Sequence, residues 1–133
     1  MVAKANAAYI GGSGSVSFGS DEYTAAVTSF TLTPTTPKFT TRDIGGKVTS
    51  IVGQPTWVAN VGYNQDWKTT DSLSQQLIAW HGTVKSVIYE PADGSKSVTI
   101  DVLIEAGAIG GGGEGLHAAN VTLNCNGQPS FGA

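Results

Sequence analysis

The sequence contains little of what a metal site, a disulfide framework or a catalytic centre needs. Its 133 residues include one cysteine and two histidines, and only 13% of them are charged. One cysteine cannot form an intrachain disulfide, and no cluster of cysteines and histidines has metal-ligand spacing. The charged share is about half that of an average soluble domain, which indicates a surface that other protein covers.

Positive charge is also scarce. Seven lysines and arginines stand against ten acidic residues, for a net charge of −3, and the basic residues are scattered along the chain. Proteins that bind nucleic acid need clustered Lys and Arg to displace counterions from phosphates, so we expect no DNA ligand.

No apolar run is long enough for a membrane span and the first residues lack signal-peptide regions, which predicts no membrane partner and an unprocessed product made in the cytoplasm.

The few side chains that could be reactive lie outside any recognisable catalytic motif. His81 and His117 fall at a predicted helix end and in a polar loop, without a nucleophile motif around either. Cys125 is in phase with the apolar residues of a predicted strand, which favours an inert thiol. The glycines of 110–115 lack the Lys-Ser/Thr ending of a phosphate-binding loop. We therefore predict no enzyme, no catalytic residue, no cofactor and no metal.

Alternating apolar and polar residues predict a mainly β protein with a single domain over 15–133. Residues 1–14 are small and glycine-rich, with Tyr9 and Ile10 as their bulky apolar pair, and predict a flexible N-terminal arm. Two strands are expected in 15–32 and further strands follow the period-2 pattern. These further strands are 57–63, 83–89, 97–105 and a last one on which Val121, Leu123 and Cys125 point inward.

The segments between these strands have signals of their own. Residues 33–55 are rich in threonine, and the Gly45-Gly46 pair suits a two-residue turn, which predicts a long hairpin loop over 36–53. A second turn is predicted at 92–95, around Asp93 and Gly94. Residues 106–115, with four consecutive glycines, predict a loop too flexible to be ordered alone.

One helix is predicted, over about 72–81. Asp71 or Ser72 can cap its start, and Gln75 has capping-box spacing from Ser72. Gly82 suits a left-handed stop at its end. His81 would then complement the exposed carbonyls of the last turn. Leu73, Leu77 and Trp80 fall on one apolar stripe.

The predicted strand 97–105 has two different faces. Its apolar face carries Val98, Ile100, Val102 and Ile104, and its polar face carries Thr99, Asp101 and Glu105. The acidic face is either an ordinary solvated sheet surface or a functional one, and the pattern alone leaves both open.

Four short runs follow one another between Trp57 and the end of the sequence. They are WVANVGY at 57–63, QDW at 65–67, SLSQQL at 72–77 and NGQP at 126–129. Their order, as strand, short helix, hairpin and closing strand, resembles the major tail-tube proteins of long-tailed, siphovirus-like bacteriophages. The resemblance implies an antiparallel β-sandwich or half-barrel with one short flanking helix. It also implies hexameric rings, stacked into a tube that conducts DNA during ejection.

The resemblance further implies a virion location, other tail proteins as partners, and DNA that passes through the lumen without specific binding. The segment 36–53 corresponds to the extended inter-ring loop of that family. The assembly residues it implies are Arg42, Asp43, Ile44 and Lys47. If the polar face of 97–105 lines the lumen, its repeated acids would repel phosphate. The lumen residues would then be Thr99, Asp101 and Glu105.

Other functions fit parts of the same pattern. A head-decoration protein or a tail-terminator subunit would share the composition, but would form trimers or a single ring. A carbohydrate-binding module would use Trp67, the tryptophan least committed to a predicted core, and would stay monomeric.

Overall fold

The computed structural model describes residues 2–6, 8, 11–92 and 94–132. Tyr9, Ile10 and Asp93, which entered the predictions above, lie outside these ranges. Within them the chain forms nine strands and one helix. The strands are β1 (Ser15–Phe18), β2 (Asp21–Glu22), β3 (Val27–Thr35), β4 (Lys38–Arg42), β5 (Val48–Val52), β6 (Thr56–Asn64), β7 (Val84–Glu90), β8 (Val98–Leu103) and β9 (Ala118–Phe131), and the helix is α1 (Leu73–Ala79).

Seven of the strands form one antiparallel sheet in the order β2-β1-β7-β8-β9-β6-β3, while β4 and β5 pair separately. The long strand β9 connects two halves of this sheet, because its residues 118–124 pair with β6 and its residues 125–131 pair with β8. We call β2, β1, β7 and β8 layer A, and β6 and β3 layer B. The sheet does not close, since β2 and β3 remain its edges. The predicted mainly β, antiparallel sandwich or half-barrel is therefore confirmed.

The core lies between the two layers. Val87 and Val102 from layer A and Val61 from layer B are no more than 1% exposed. Burial of each such side chain stabilises the fold by about 1.5–3 kcal/mol. Phe30 and Tyr89 join the layers at the open side, with their ring centroids 4.8 Å apart. The polar residues that alternate with these apolar ones therefore point outward from each layer.

Helix α1 closes the other end of this core. Leu73 and Leu77 are buried in the same cluster as Tyr63, and Trp80 packs against it, which confirms the predicted stripe. The helix is shorter than predicted, since it ends at Ala79 with Trp80 as its cap. Gly82 has φ of +84° and supplies the predicted left-handed stop.

Ser72 is the N-cap residue of this helix, as predicted, but the predicted capping-box hydrogen bonds are not formed. The Ser72 hydroxyl donates to the carbonyl of Asp66, and the Gln75 side chain donates to the carbonyl of Trp67. Residues 66–71 fold back over the start of the helix. The side chains of Ser72 and Gln75 therefore donate to carbonyls of this segment and do not cap the N–H groups of the helix. His81 accepts a hydrogen bond at Nδ1 from the backbone N–H of Ala106, 3.0 Å away, and so ties down the next loop instead of the helix carbonyls.

Candidate assembly surfaces

The hairpin formed by β4 and β5 shares no ladder with the other strands of the described part of the chain. Five register pairs join its strands, from Lys38 with Val52 to Arg42 with Val48. Every residue of both strands is exposed. A two-stranded hairpin without a packed face is marginally stable in water. The long hairpin predicted over 36–53 is thus present, and its geometry favours support from another protein surface.

Large apolar side chains cover both faces of this hairpin. Phe39 and Ile51 lie opposite each other in the register, with 59% and 58% of their surface exposed. Val48 and Val52 project from the other face, and Ile44 is fully exposed at the tip. Contiguous apolar surface of this kind marks an interaction site more often than a free surface.

The tip of the hairpin differs from the predicted two-residue turn. The N–H of Asp43 donates to the carbonyl of Lys47 at 2.9 Å, which leaves a three-residue loop. Gly46 has φ of +91°, and the Asp43 carboxylate accepts the N–H of Lys47 at 2.9 Å. This carboxylate bond favours the longer loop. The structure thereby brings the predicted residues Arg42, Asp43, Ile44 and Lys47 together at one exposed tip.

A glutamine fixes the root of the hairpin to the body. Between Asn126 and Ser130, β9 carries extra residues relative to β8, and Gly127 has φ of +80° in this bulge. The bulge directs Gln128 toward β6, where it accepts from the Trp57 indole and donates to the carbonyl of Pro55, both at 2.8 Å. Sequence reasoning missed Gln128. A glycine within a strand pattern was the available signal.

The outer face of layer A carries two of the three predicted lumen residues. Thr99 pairs with Ser130, and Asp101 pairs with Asn126, so both project away from the core. Asp101 is exposed, while its neighbours Ile100 and Val102 are buried.

Glu105 lies beyond the end of β8, so the predicted strand 97–105 is too long. Strand β8 ends at Leu103, and the N–H of Ala106 already turns toward His81. Strand β8 ends where its backbone stops pairing with β7 and the chain instead bonds to His81, beyond the end of the helix. The structure places Glu105, which is exposed, at the helix end of the domain.

The outer face of layer B is polar but uncharged. Thr31, Asn60 and Thr122 form one row across β3, β6 and β9, and the Thr122 hydroxyl donates to the Asn60 side chain at 3.1 Å. Thr33 and Asn124 extend the same face. The sequence reasoning did not identify this surface, although the alternation along β6 and β9 carries its signal. The outer face of layer A, by contrast, carries the exposed apolar residues Val84 and Ile88 beside Thr99 and Asp101.

The glycine-rich segment is attached to the body at the helix end. The Gln65 side chain donates to the carbonyl of Gly110 at 2.8 Å and accepts the N–H of the same residue at 2.9 Å. The His117 ring bonds the carbonyl of Gly112 at 2.7 Å, and the Trp67 indole donates to Gln65 at 3.0 Å. Trp67, 41% exposed, and the segment 106–117 thus form one surface.

Two open clefts follow the free side of β3. The larger has a volume of about 450 Å³ and lies between residues 11–16 and β3. The second, of about 370 Å³, is lined with apolar and aromatic groups, including Trp57, Tyr89 and Phe131. Neither is lined by Trp67, the residue on which the carbohydrate-binding alternative depends.

Hydrogen bonding and burial shift the pKa values of Asp66 and Cys125. Hydrogen bonds from the backbone and side chain of Thr69 and the backbone of Lys68 lower the pKa of Asp66. Burial raises the pKa of the Cys125 thiol, which is half-buried rather than buried. The described residues contain no group of three or more His, Cys, Asp and Glu that could hold a metal ion. Nor do they include a helix long and apolar enough to cross a membrane.

The similarity of this chain to known proteins lies in its fold. No protein family and no curated protein matches the sequence. A chain from the cryo-EM structure of an extracellular contractile injection system, the PVC sheath-tube complex in its extended state, is similar with a TM-score of 0.63 and 14% identity, over 91% of this chain and 88% of that one. A chain from the PVC sheath/tube terminator structure is similar with a TM-score of 0.61 and 14% identity, over 100% of both. This chain therefore has a fold similar to that of chains from an extracellular contractile injection system.

Proposed function

We propose that this chain is a tail-tube subunit, a structural virion protein that assembles into hexameric rings stacked into a tube. The observation that carries the proposal is the exposed, apolar hairpin β4–β5 on a body whose fold is similar to chains of a sheath-tube assembly. Such a tube would conduct DNA in a long-tailed, siphovirus-like phage, together with other tail proteins. The chain would be made in the cytoplasm of the bacterial host.

The open edge of layer B suits the contact within a ring. Strand β3 is nine residues long and pairs only with β6 among the described strands. The opposite edge, β2, has two residues, Asp21 and Glu22, and is short and charged. Natural proteins protect a sheet edge by making it short and charged, as β2 is. A long edge strand such as β3 is available for pairing with another chain. Ring closure would cover β3 and the clefts beside it with the next subunit.

The hairpin would make the contact between rings. Its tip residues Arg42, Asp43, Ile44 and Lys47 stand clear of the body and offer charge, hydrogen bonds and one apolar side chain. Its apolar faces would be buried on the neighbouring ring, which supplies the packing that the isolated hairpin lacks.

The outer face of layer A would line the lumen. Thr99 and Asp101 project from it. Asp101, repeated in every subunit, would give an acidic wall that repels the DNA backbone and lets it slide.

Negative-stain electron microscopy of the concentrated, purified protein tests the proposal. Hollow tubes or stacked six-membered rings are expected. Trimers would instead indicate a head-decoration protein and overturn the tube assignment. A chain in which residues 38–52 are replaced by a short Gly-Ser turn is the control, and it should give rings that do not stack.

A tail-terminator subunit is the second candidate, favoured by the similarity to a chain of a sheath/tube terminator structure. A terminator would form a single ring that ends a tube. Discrete rings that never stack at any concentration, but bind the end of an existing tube, would identify it.

A further inference from the structure

The hairpin and the glycine-rich segment lie at opposite ends of layer B. The hairpin leaves the body where Thr35 pairs with Thr56, and the other end of the same ladder is the pair of Val27 and Tyr63. We call the first end the hairpin pole. The helix pole is the second end, with residues 65–72, α1 and residues 105–117. Nine residues of β6, at about 3.3 Å each, separate the poles by roughly 26 Å.

The two poles carry opposite charge. Residues 36–53 hold three cations, Lys38, Arg42 and Lys47, and one acid, a net charge of +2 in a chain whose net charge is −3. Residues 65–72 and 105–117 hold four acids and one lysine, a net charge of −3 with neutral histidine. The four acids are Asp66, Asp71, Glu105 and Glu114. The acid-to-base balance therefore reverses from one end of the molecule to the other.

The helix pole also offers apolar surface to match that of the hairpin. Ile109 and Leu116 are 71% and 78% exposed on the glycine-rich segment. Trp67 lies beside them, because it shares Gln65 as a hydrogen-bond partner with Gly110. This pole therefore combines exposed apolar groups with acids, and the hairpin combines exposed apolar groups with cations.

We infer that the helix pole is the docking surface for the hairpin of a second copy of this chain, stacked head to tail. Two copies related by translation along β6 bring the hairpin pole of one against the helix pole of the next. This contact is heterologous, so it leaves a free hairpin and a free helix pole at the two ends and continues without closing. Opposite charge would steer the docking and set its polarity, and the apolar groups would hold it. The inference rests on the proposed tube function and names the surface that receives the hairpin.

Cross-linking between two differently tagged chains tests this docking without requiring complete tubes. In a Cys125→Ser background, one chain carries Ile44→Cys at the hairpin tip and the other carries Leu116→Cys at the helix pole. A short bismaleimide should join this pair at least about fivefold more than it joins Ile44→Cys with the control Lys96→Cys. Lys96 is exposed in the β7–β8 turn, at the end of the β7–β8 ladder opposite the helix.

Charge reversal provides the second arm of the test. Arg42→Glu with Lys47→Glu in the Ile44→Cys chain should lower the cross-linked yield about tenfold. Glu105→Lys with Glu114→Lys in the Leu116→Cys chain should restore it, because the reversed hairpin then meets a reversed pole. A misfolded variant could not be rescued by its partner in this way.

The results separate the docking from the tube assignment. Equal cross-linking to Leu116→Cys and Lys96→Cys, or reversal without rescue, overturns the docking. Tubes in micrographs of a chain that fails this test would leave the tube assignment intact. Selective cross-linking in open head-to-tail oligomers that have no lumen would support the docking and overturn the tube.

Discussion

Single residues decide how closely the glycine-rich segment approaches the body. A Cβ on Gly107 would overlap the hydroxyl of Tyr63, which is buried to 1% exposure. Gly113, in the same segment, has open space around its Cα. Two glycines that look alike in the sequence therefore differ in what they tolerate.

We expect Gly107→Ala to lower the free energy of unfolding by about 1–3 kcal/mol, the usual cost of overpacking. Gly113→Ala, the matched control, should leave it unchanged or raise it by less than about 1 kcal/mol, because it only stiffens the unfolded chain. Urea unfolding measures both. Equal effects of the two substitutions would contradict the close approach of Gly107 to Tyr63.

Tyr63 also predicts a dependence of stability on pH. Burial raises the pKa of its hydroxyl above the ordinary value of about 10. A raised folded-state pKa contributes stability that is present below pH 10 and is lost as the pH rises above it, since only the unfolded chain ionises there. The unfolding free energy of the wild type should fall more steeply above about pH 10 than that of Tyr63→Phe. Parallel curves would show that this hydroxyl is not buried.

Among the structural elements, the hairpin β4–β5 should matter for assembly but not for folding. Replacing Phe39 and Ile51 with serine removes exposed apolar groups, so the unfolding free energy should change by about 0.5 kcal/mol or less. Tube formation, followed by sedimentation, should fall sharply. Val84→Thr, an exposed apolar residue on the body, is the control and should affect neither. A large loss of stability in the hairpin variant would mean that the hairpin packs on its own body.

The strands were predictable because alternation is a local property. The buried residues of β6 and β8 follow directly from their period of two. The side-chain hydrogen bonds at the start of the helix were not predictable. Ser72 and Gln75 donate to the carbonyls of residues 66 and 67, which only the folded chain brings close to them. The bond between Trp57 and Gln128 joins residues 71 positions apart, which no local pattern reveals.

At the scale of the whole molecule, the polar face of layer A is proposed to face the lumen. Asp101→Asn should leave the tube intact, because Asp101 is exposed and its ladder bonds are made by the backbone. DNA ejection should become slower as the wall loses its repulsion for phosphate. Ejection from phage particles that carry the variant measures this, with Asp21→Asn, a change at an exposed acid of the short edge strand β2, as the control. Unchanged ejection would argue for the uncharged face of layer B as the lumen wall.

The surfaces of the molecule were only partly predictable. The sequence placed Arg42, Asp43, Ile44 and Lys47 together because they are neighbours in one turn. It placed Asp101 and Glu105 in one strand, 97–105, whereas β8 ends at Leu103, before Glu105. The opposite charge of the two poles depends on where residues 65–72 and 105–117 meet in space, so it required the fold.

A cryo-EM reconstruction of the assembled protein tests the central claim most directly. The account predicts a hollow tube of stacked six-membered rings, with each hairpin β4–β5 crossing to the helix pole of the subunit in the next ring. A closed trimer, a shell, or a fibre without a lumen would contradict it.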